Sequence, residues 1–244
     1  MLLEGAQAVL GDHFVGLYLY GSLASGDFNP QTSDIDFLVV TNADLPDELI
    51  RDLEALHVRL WRSGLKWAAK LEGAYVPLQT LRRHDPNSAP CPTVNEGRIY
   101  LDKQGSDWII QRYILREHGA AVCGPSLQSA IDPVTPDNLR HAVRGVLAEW
   151  WRPMLADPAW IHTREYEVFA ALTMCRALYT LQYGDIVSKT VAARWALQTL
   201  DERWSMLIDR ALAWPQEPQS SNLSETLELI RYAIDRAQQD NRVL

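Results

Sequence analysis

The chain has 244 residues, 47% hydrophobic and 22% charged, enough for one large domain or two modest ones with cores of their own. Its 31 acidic and 23 basic side chains leave a formal charge of −8, which repels phosphate backbones, argues against a nucleic-acid substrate and favours a small cationic one. Three scattered cysteines (Cys91, Cys123, Cys175) without Cys-x-x-Cys spacing suit a reducing cytoplasm better than a disulfide framework or a zinc site. The opening "MLLEGAQAVL" carries Glu4 and no basic flank, so it does not read as a signal peptide. No apolar run approaches the ~18 residues of a membrane span.

In chain order, residues 2–11 suit a short amphipathic helix. "FVGLYLYG" (14–21) is rich in β-formers and ends in Gly, so it reads as a strand. "SLASG" (22–26) makes one or two helical turns, and "DFNPQTS" (27–33) has the chemistry of a turn. "DIDFLVVT" (34–41) is a second strand. Residues 46–63 place Leu49, Leu53, Leu56 and Leu60 at helical spacing. That helix opens on Pro46, with Asp47 and Glu48 in the first turn, where acidic side chains suit the dipole. "AAKLEGAYVPL" (68–78) reads as a third strand, 83–95 as an exposed loop, and 98–102 as a further strand. "DWIIQRYILREHG" (107–119) is a helix stopped by Gly119, and 120–125 a short edge strand.

Beyond a Pro-marked stretch, "SAIDPVTPDNLR" (129–140), strand signals nearly vanish and helical periodicity takes over. The expected fold class is α+β: a mixed sheet with flanking helices over residues 1–128, a linker at 129–136, and an all-α bundle over 137–244. Trp150, Trp195 and Trp204 sit among helical apolar positions and are expected in the core, whereas Trp108 and Trp151 are candidates to line a cleft. His57, His84, His118, His141 and His162 show no ligand spacing and read as surface or structural.

The stretch "YGSLASGDFNPQTSDIDFLVV" (20–40) sets two carboxylates at the mouth of an apolar strand, a costly placement unless something pairs with them. Strand residues two apart share a face, so Asp34 and Asp36 project together with Cα atoms ~6.6 Å apart. Two converging carboxylates make a hard oxygen site suited to Mg²⁺, although Asp-x-Asp alone is equally a solvated strand start. Gly21 and Ser22 sharpen the pattern. A Gly at the strand end lets backbone approach a ligand, and the next helical turn aims N–H groups outward, as a phosphate cradle does.

The order G-S-(x)n-S-D-x-D resembles the signature of the nucleotidyltransferase fold shared with DNA polymerase β. Within that superfamily the whole chain resembles the aminoglycoside nucleotidyltransferases of the streptomycin/spectinomycin adenylyltransferase type. "RALYTLQYGDIVSKTVAARWAL" (176–197) carries the second part of that resemblance. The resemblance implies Mg²⁺-dependent transfer of AMP from ATP to a hydroxyl of an aminoglycoside or aminocyclitol antibiotic, with release of pyrophosphate, and a role in antibiotic resistance. It implies Asp34 and Asp36 as metal ligands and Glu72, on the adjacent strand, as general base, since the attacking hydroxyl must lose a proton. It places Gly21, Ser22, Ser33, Arg176 and Lys189 at the nucleotide and Trp214 near the adenine. Two departures stand out: "NEGRIYLD" has no Trp where dual-specificity members have one, and their acidic contacts fall only loosely on Glu165 and Glu167. A protein as AMP acceptor and a non-catalytic nucleotide sensor remain the alternatives.

Overall fold

The structure is a computed structural model that describes residues 1–161, 163–215 and 221–239, so His162 lies outside the described residues. The chain divides into two compact units, Met1–Pro133 and Val134–Leu244.

The first unit runs α1 (Leu2–Leu10), β1 (Phe14–Leu19), α2 (Gly21–Ser25), β2 (Ile35–Thr41), α3 (Asp47–Trp61), β3 (Leu71–Pro77), α4 (Leu78–Arg82), β4 (Cys91–Asn95), β5 (Arg98–Asp102), α5 (Asp107–His118), β6 (Ala120–Cys123) and α6 (Leu127–Ala130). The strands form one mixed sheet in the order β5-β4-β3-β2-β1-β6. β2 pairs parallel with β3 and antiparallel with β1. The parallel pair is joined through α3, because parallel neighbours need a crossover.

β2 reads as an almost unbroken apolar run because both of its faces are covered. Phe37 and Val39 join Leu17 and Tyr75 beneath α1 and α3, where Leu10, Leu53, Leu56 and Leu60 are buried. Leu38 and Val40 face the other way, with Tyr18, Ala74 and Val76, against Leu81 of α4, Trp108 and Leu115 of α5 and Leu127 of α6. Each such side chain contributes about 1.5–3 kcal/mol by leaving water. His57 is a buried member of α3: a 2.8 Å hydrogen bond links its Nε2 to the Tyr75 hydroxyl, and its ring stacks on Phe37.

Three expectations need correction. Residues 91–95 are a strand and not part of a loop; Cys91 and Val94 are buried. Pro90 and Pro92 disguise it, but the pairing to β3 begins at Thr93, beyond Pro92. The third strand starts at Leu71, because Ala68–Lys70 is a 3-10 turn. Trp150 is 60% exposed, whereas Trp151 is buried. A π-helical stretch, Leu147–Trp151, inserts a wider turn here and rotates the buried face by one residue.

Among its described residues the second unit is helical: α7 (Pro136–Val146), α8 (Arg152–Ala156), α9 (Arg164–Tyr183), α10 (Lys189–Thr199), α11 (Ser205–Leu212) and α12 (Leu223–Gln239). α9 is the central rod, packed by α7, α10, α11 and α12. Its Ala170, Ala171 and Ala177, like Ala192, Ala193 and Ala196 of α10, are small and buried, which lets backbones approach. Caps fix the ends. Thr135 and Asn138 form a capping box on α7, Gly184 closes α9 at φ +68°, and the Ser188 hydroxyl accepts from the Val191 N–H on α10. No helix among the described residues is long and apolar enough to cross a membrane.

Candidate active site

The site grows from the way β1 ends. The Tyr20 N–H donates to the Asp36 carbonyl at 3.1 Å, extending the β1–β2 ladder by one bond. The chain then turns at Gly21, with φ +65°, straight into α2. A Cβ on Gly21 would lie 2.0 Å from Asp36 Oδ2, so both the conformation and the space require glycine. Gly26, left-handed at φ +77°, closes the short helix by donating to the Ser22 carbonyl.

The sheet register brings the carboxylates together. Asp36 and Glu72 are direct partners on the parallel β2–β3 pair. In register and with a period of two, both lie on the face that Leu38, Val40, Ala74 and Val76 share with α5. Tyr20 reports this crowding. Its phenol is pushed well above the usual range, first by burial and then by the negative charges of Asp36, Glu72 and Asp107. Tyr100 on β5 is raised too, by burial, then Asp102, then Glu72.

Asp107 was not among the residues singled out from the sequence. It opens α5, where an acidic residue in the first turn is ordinary helix chemistry, and only the fold brings its charge to bear on Tyr20 together with those of Asp36 and Glu72. Asp34 sits one residue before β2 and pairs with Lys70, Nζ to Oδ1 3.5 Å, both side chains partly exposed. Ser33 shapes the approach to it. Its hydroxyl accepts the Asn29 N–H at 3.0 Å, and its own N–H donates to the Asn29 carbonyl at 2.8 Å. A second tie holds the same neighbourhood: Phe28 packs on Trp67, ring centroids 5.5 Å apart.

Among the described residues no three His, Cys, Asp or Glu side chains are gathered as a ready ion cage. The donor chemistry nonetheless suits magnesium, which binds through one or two carboxylates and takes its other ligands from water and phosphate.

Arg176 and Lys189 belong to the second unit. Arg176 is half-buried on α9, and Lys189 is the first residue of α10. Lys189 Nζ lies 4.2 Å from the centroid of the Phe169 ring. Trp214 follows α11. Glu167 is buried and accepts from Arg164 (2.9 Å), the Asn222 N–H (2.7 Å) and the Ser221 hydroxyl. It ties the start of α12 to α9 and has no face left for an ammonium ligand, whereas Glu165 is exposed.

Residues 129–239 match the family model described as the C-terminal domain of aminoglycoside adenylyltransferase, and residues 10–89 match the nucleotidyltransferase domain. An aminoglycoside (3'') (9) adenylyltransferase of Escherichia coli is 30% identical over 240 residues, which cover 89% of this chain and 85% of that protein. A spectinomycin 9-adenylyltransferase of Staphylococcus aureus is 26% identical over 224 residues, 83% of this chain and 78% of that one. A crystal structure of a spectinomycin adenyltransferase from Enterococcus faecialis, with ATP and spectinomycin, shares the fold at a TM-score of 0.78 and 18% identity, covering 97% of this chain and 96% of that chain.

Proposed function

This chain belongs to the aminoglycoside adenylyltransferase family, and we propose that it transfers AMP from ATP to a hydroxyl of an aminoglycoside or aminocyclitol. The observation that carries this reading is the in-register pairing of Asp36 with Glu72 beside the tight turn at Gly21.

Asp34 and Asp36 would hold Mg²⁺, which supplies positive charge against the triphosphate. Asp34 leaves Lys70 when it takes up that role. Gly21 and Ser22 present backbone and a hydroxyl to the phosphates without a side chain in the way. Glu72 accepts the proton of the acceptor hydroxyl, whose oxygen attacks the α-phosphorus. A new P–O bond forms to the acceptor as the bond to the pyrophosphate oxygen breaks. Lys189 and Arg176 bring positive charge to the leaving phosphates. The net charge of −8 favours a polycationic acceptor over an anionic one. ATP as donor and three cysteines outside any disulfide point to the cytoplasm as its compartment.

A pyrophosphate-release screen with ATP or GTP against spectinomycin, streptomycin and other aminoglycosides tests this. The expected result is release that requires Mg²⁺, ATP and at least one of these acceptors. Transfer of label from α-labelled ATP to polypeptides of an added lysate, with none of the antibiotics accepted, would replace this reading with protein AMP transfer.

A further inference from the structure

The loop between α2 and β2, residues 26–34, carries Ser33 and delivers Asp34 to the sheet. Its hydrogen bonds turn inward. The Asn29 carbonyl accepts the Ser33 N–H at 2.8 Å and the Thr32 N–H at 3.2 Å, and the Asn29 side chain accepts the Gln31 N–H at 2.9 Å. These bonds shape the loop; by themselves they do not set where it lies. Its two ends are tied to one 3-10 turn. Phe28, near the start, packs on Trp67 with ring centroids 5.5 Å apart, and Asp34, at the end, pairs with Lys70 at 3.5 Å. Trp67 precedes the turn Ala68–Lys70, and the Lys70 N–H donates to the Trp67 carbonyl at 3.1 Å. The turn has its own anchor, since Ala68 is buried in the core beneath α1 and α3. The sheet register accounts for the second tie: Ile35 and Leu71 are direct partners, so the residues just before them, Asp34 and Lys70, come side by side.

We propose that Phe28 and Trp67 are positioning residues for the metal and nucleotide: their ring contact keeps the loop 27–34 in place when Asp34 exchanges Lys70 for the ion. This rests on the reading of Asp34 as a metal ligand. The two ties differ in kind. The ion pair is partly exposed, holds weakly, and is given up when the Asp34 carboxylate turns to another cation. The ring contact carries no charge of its own and competes with nothing that the site binds. The Lys66 ammonium, 4.4 Å from the centroid of the Trp67 ring, adds a hold on the indole. A loop ordered before binding spares the ligand the entropy of ordering it, so loss of the ring contact is read as weaker binding.

The test has two readouts on the full chain: backbone hydrogen exchange over residues 27–34 without metal or nucleotide, and calorimetric binding of α,β-methylene-ATP with Mg²⁺. Both are measured for wild type, F28L, F28Y, W67L, the F28L/W67L double variant and D34N, each with its melting temperature. F28L and W67L are expected to exchange faster over 27–34 and to bind about two- to tenfold more weakly, with little change in melting temperature. F28Y, which keeps the ring, is expected near wild type, and the double variant no weaker than the weaker single one. F28L carries the result if W67L loses stability. Faster exchange without weaker binding, weaker binding without faster exchange, or losses that multiply in the double variant would overturn the role of the ring contact and leave that of Asp34 standing. Binding by D34N as tight as wild type would overturn the reading of Asp34, and the proposal with it.

Discussion

The Gly21 α-carbon lies so close to the Asp36 carboxylate that a methyl group there would stand 2.0 Å from Oδ2. Gly21 also holds φ +65°, which costs an L-residue about 1–2 kcal/mol. Gly21→Ala therefore acts twice, on the turn and on the carboxylate. We expect kcat/KM to fall about 10²-fold or more, because small displacements at a reacting centre are costly, with only a modest loss of melting temperature. An active variant would show that Asp36 tolerates displacement.

Lys70 competes for Asp34. In Lys70→Met the acidic cluster keeps its charge and loses its resident ammonium, 3.5 Å from Asp34 Oδ1 in the wild type. The pair is partly exposed, so the effect is small: Mg²⁺ half-saturation, followed by calorimetry with a non-hydrolysable ATP analogue, should fall about two- to fivefold. A rise would mean that Lys70 works for the nucleotide and not against the ion.

How much of this was legible in the sequence depends on distance along the chain. Gly21, Ser22 and Asp34-x-Asp36 were readable because a strand end, a turn and a period-two pair are local. The direct pairing of Asp36 with Glu72 is a register between segments 36 residues apart, and no local pattern fixes it. Asp107 was hidden because a helix start explains it fully. Lys70 was hidden because its partner is chosen by the 3-10 turn that delays β3. The strand at 91–95 was masked by its prolines, and Trp150 and Trp151 exchanged roles because a π-helical turn breaks the 3.6 period.

His57 sets an acid limit on the first unit. Burial lowers its pKa from 6.5 to about 4, so the folded chain resists the proton that the unfolded chain takes up. Between these values the unfolded state binds more protons, so stability rises with pH across that window and is lost as pH falls through it. The loss approaches about 3 kcal/mol once pH is below both values. Urea midpoints measured from pH 7 to pH 4.5 should decline, and the decline should be shallower in His57→Gln. Parallel slopes would assign the acid sensitivity to other groups.

Arg112 is a buried cation that serves backbone. Its guanidinium donates to the carbonyls of Leu81 (2.9 Å) and Trp108 (3.2 Å), to the Thr80 carbonyl and to Gln104 Oε1 (2.7 Å). Burial pulls its pKa down to about 10. These bonds fasten α5, and with it Asp107, to the end of α4. Arg112→Met leaves several buried acceptors unsatisfied and should cost about 3–5 kcal/mol in urea unfolding. A loss below about 1 kcal/mol would show that water replaces the guanidinium.

AMP transfer is read at its product by mass spectrometry of the antibiotic itself. Spectinomycin and streptomycin are incubated with the protein, ATP and Mg²⁺, alongside Asp36→Asn and Glu72→Gln. We expect an adenylylated antibiotic, formed in step with pyrophosphate, that both variants lose by about 10²-fold or more while Glu72→Gln still binds ATP. Antibiotics left unmodified by the wild-type protein, or product formed at full rate by the Asp36 variant, would contradict it.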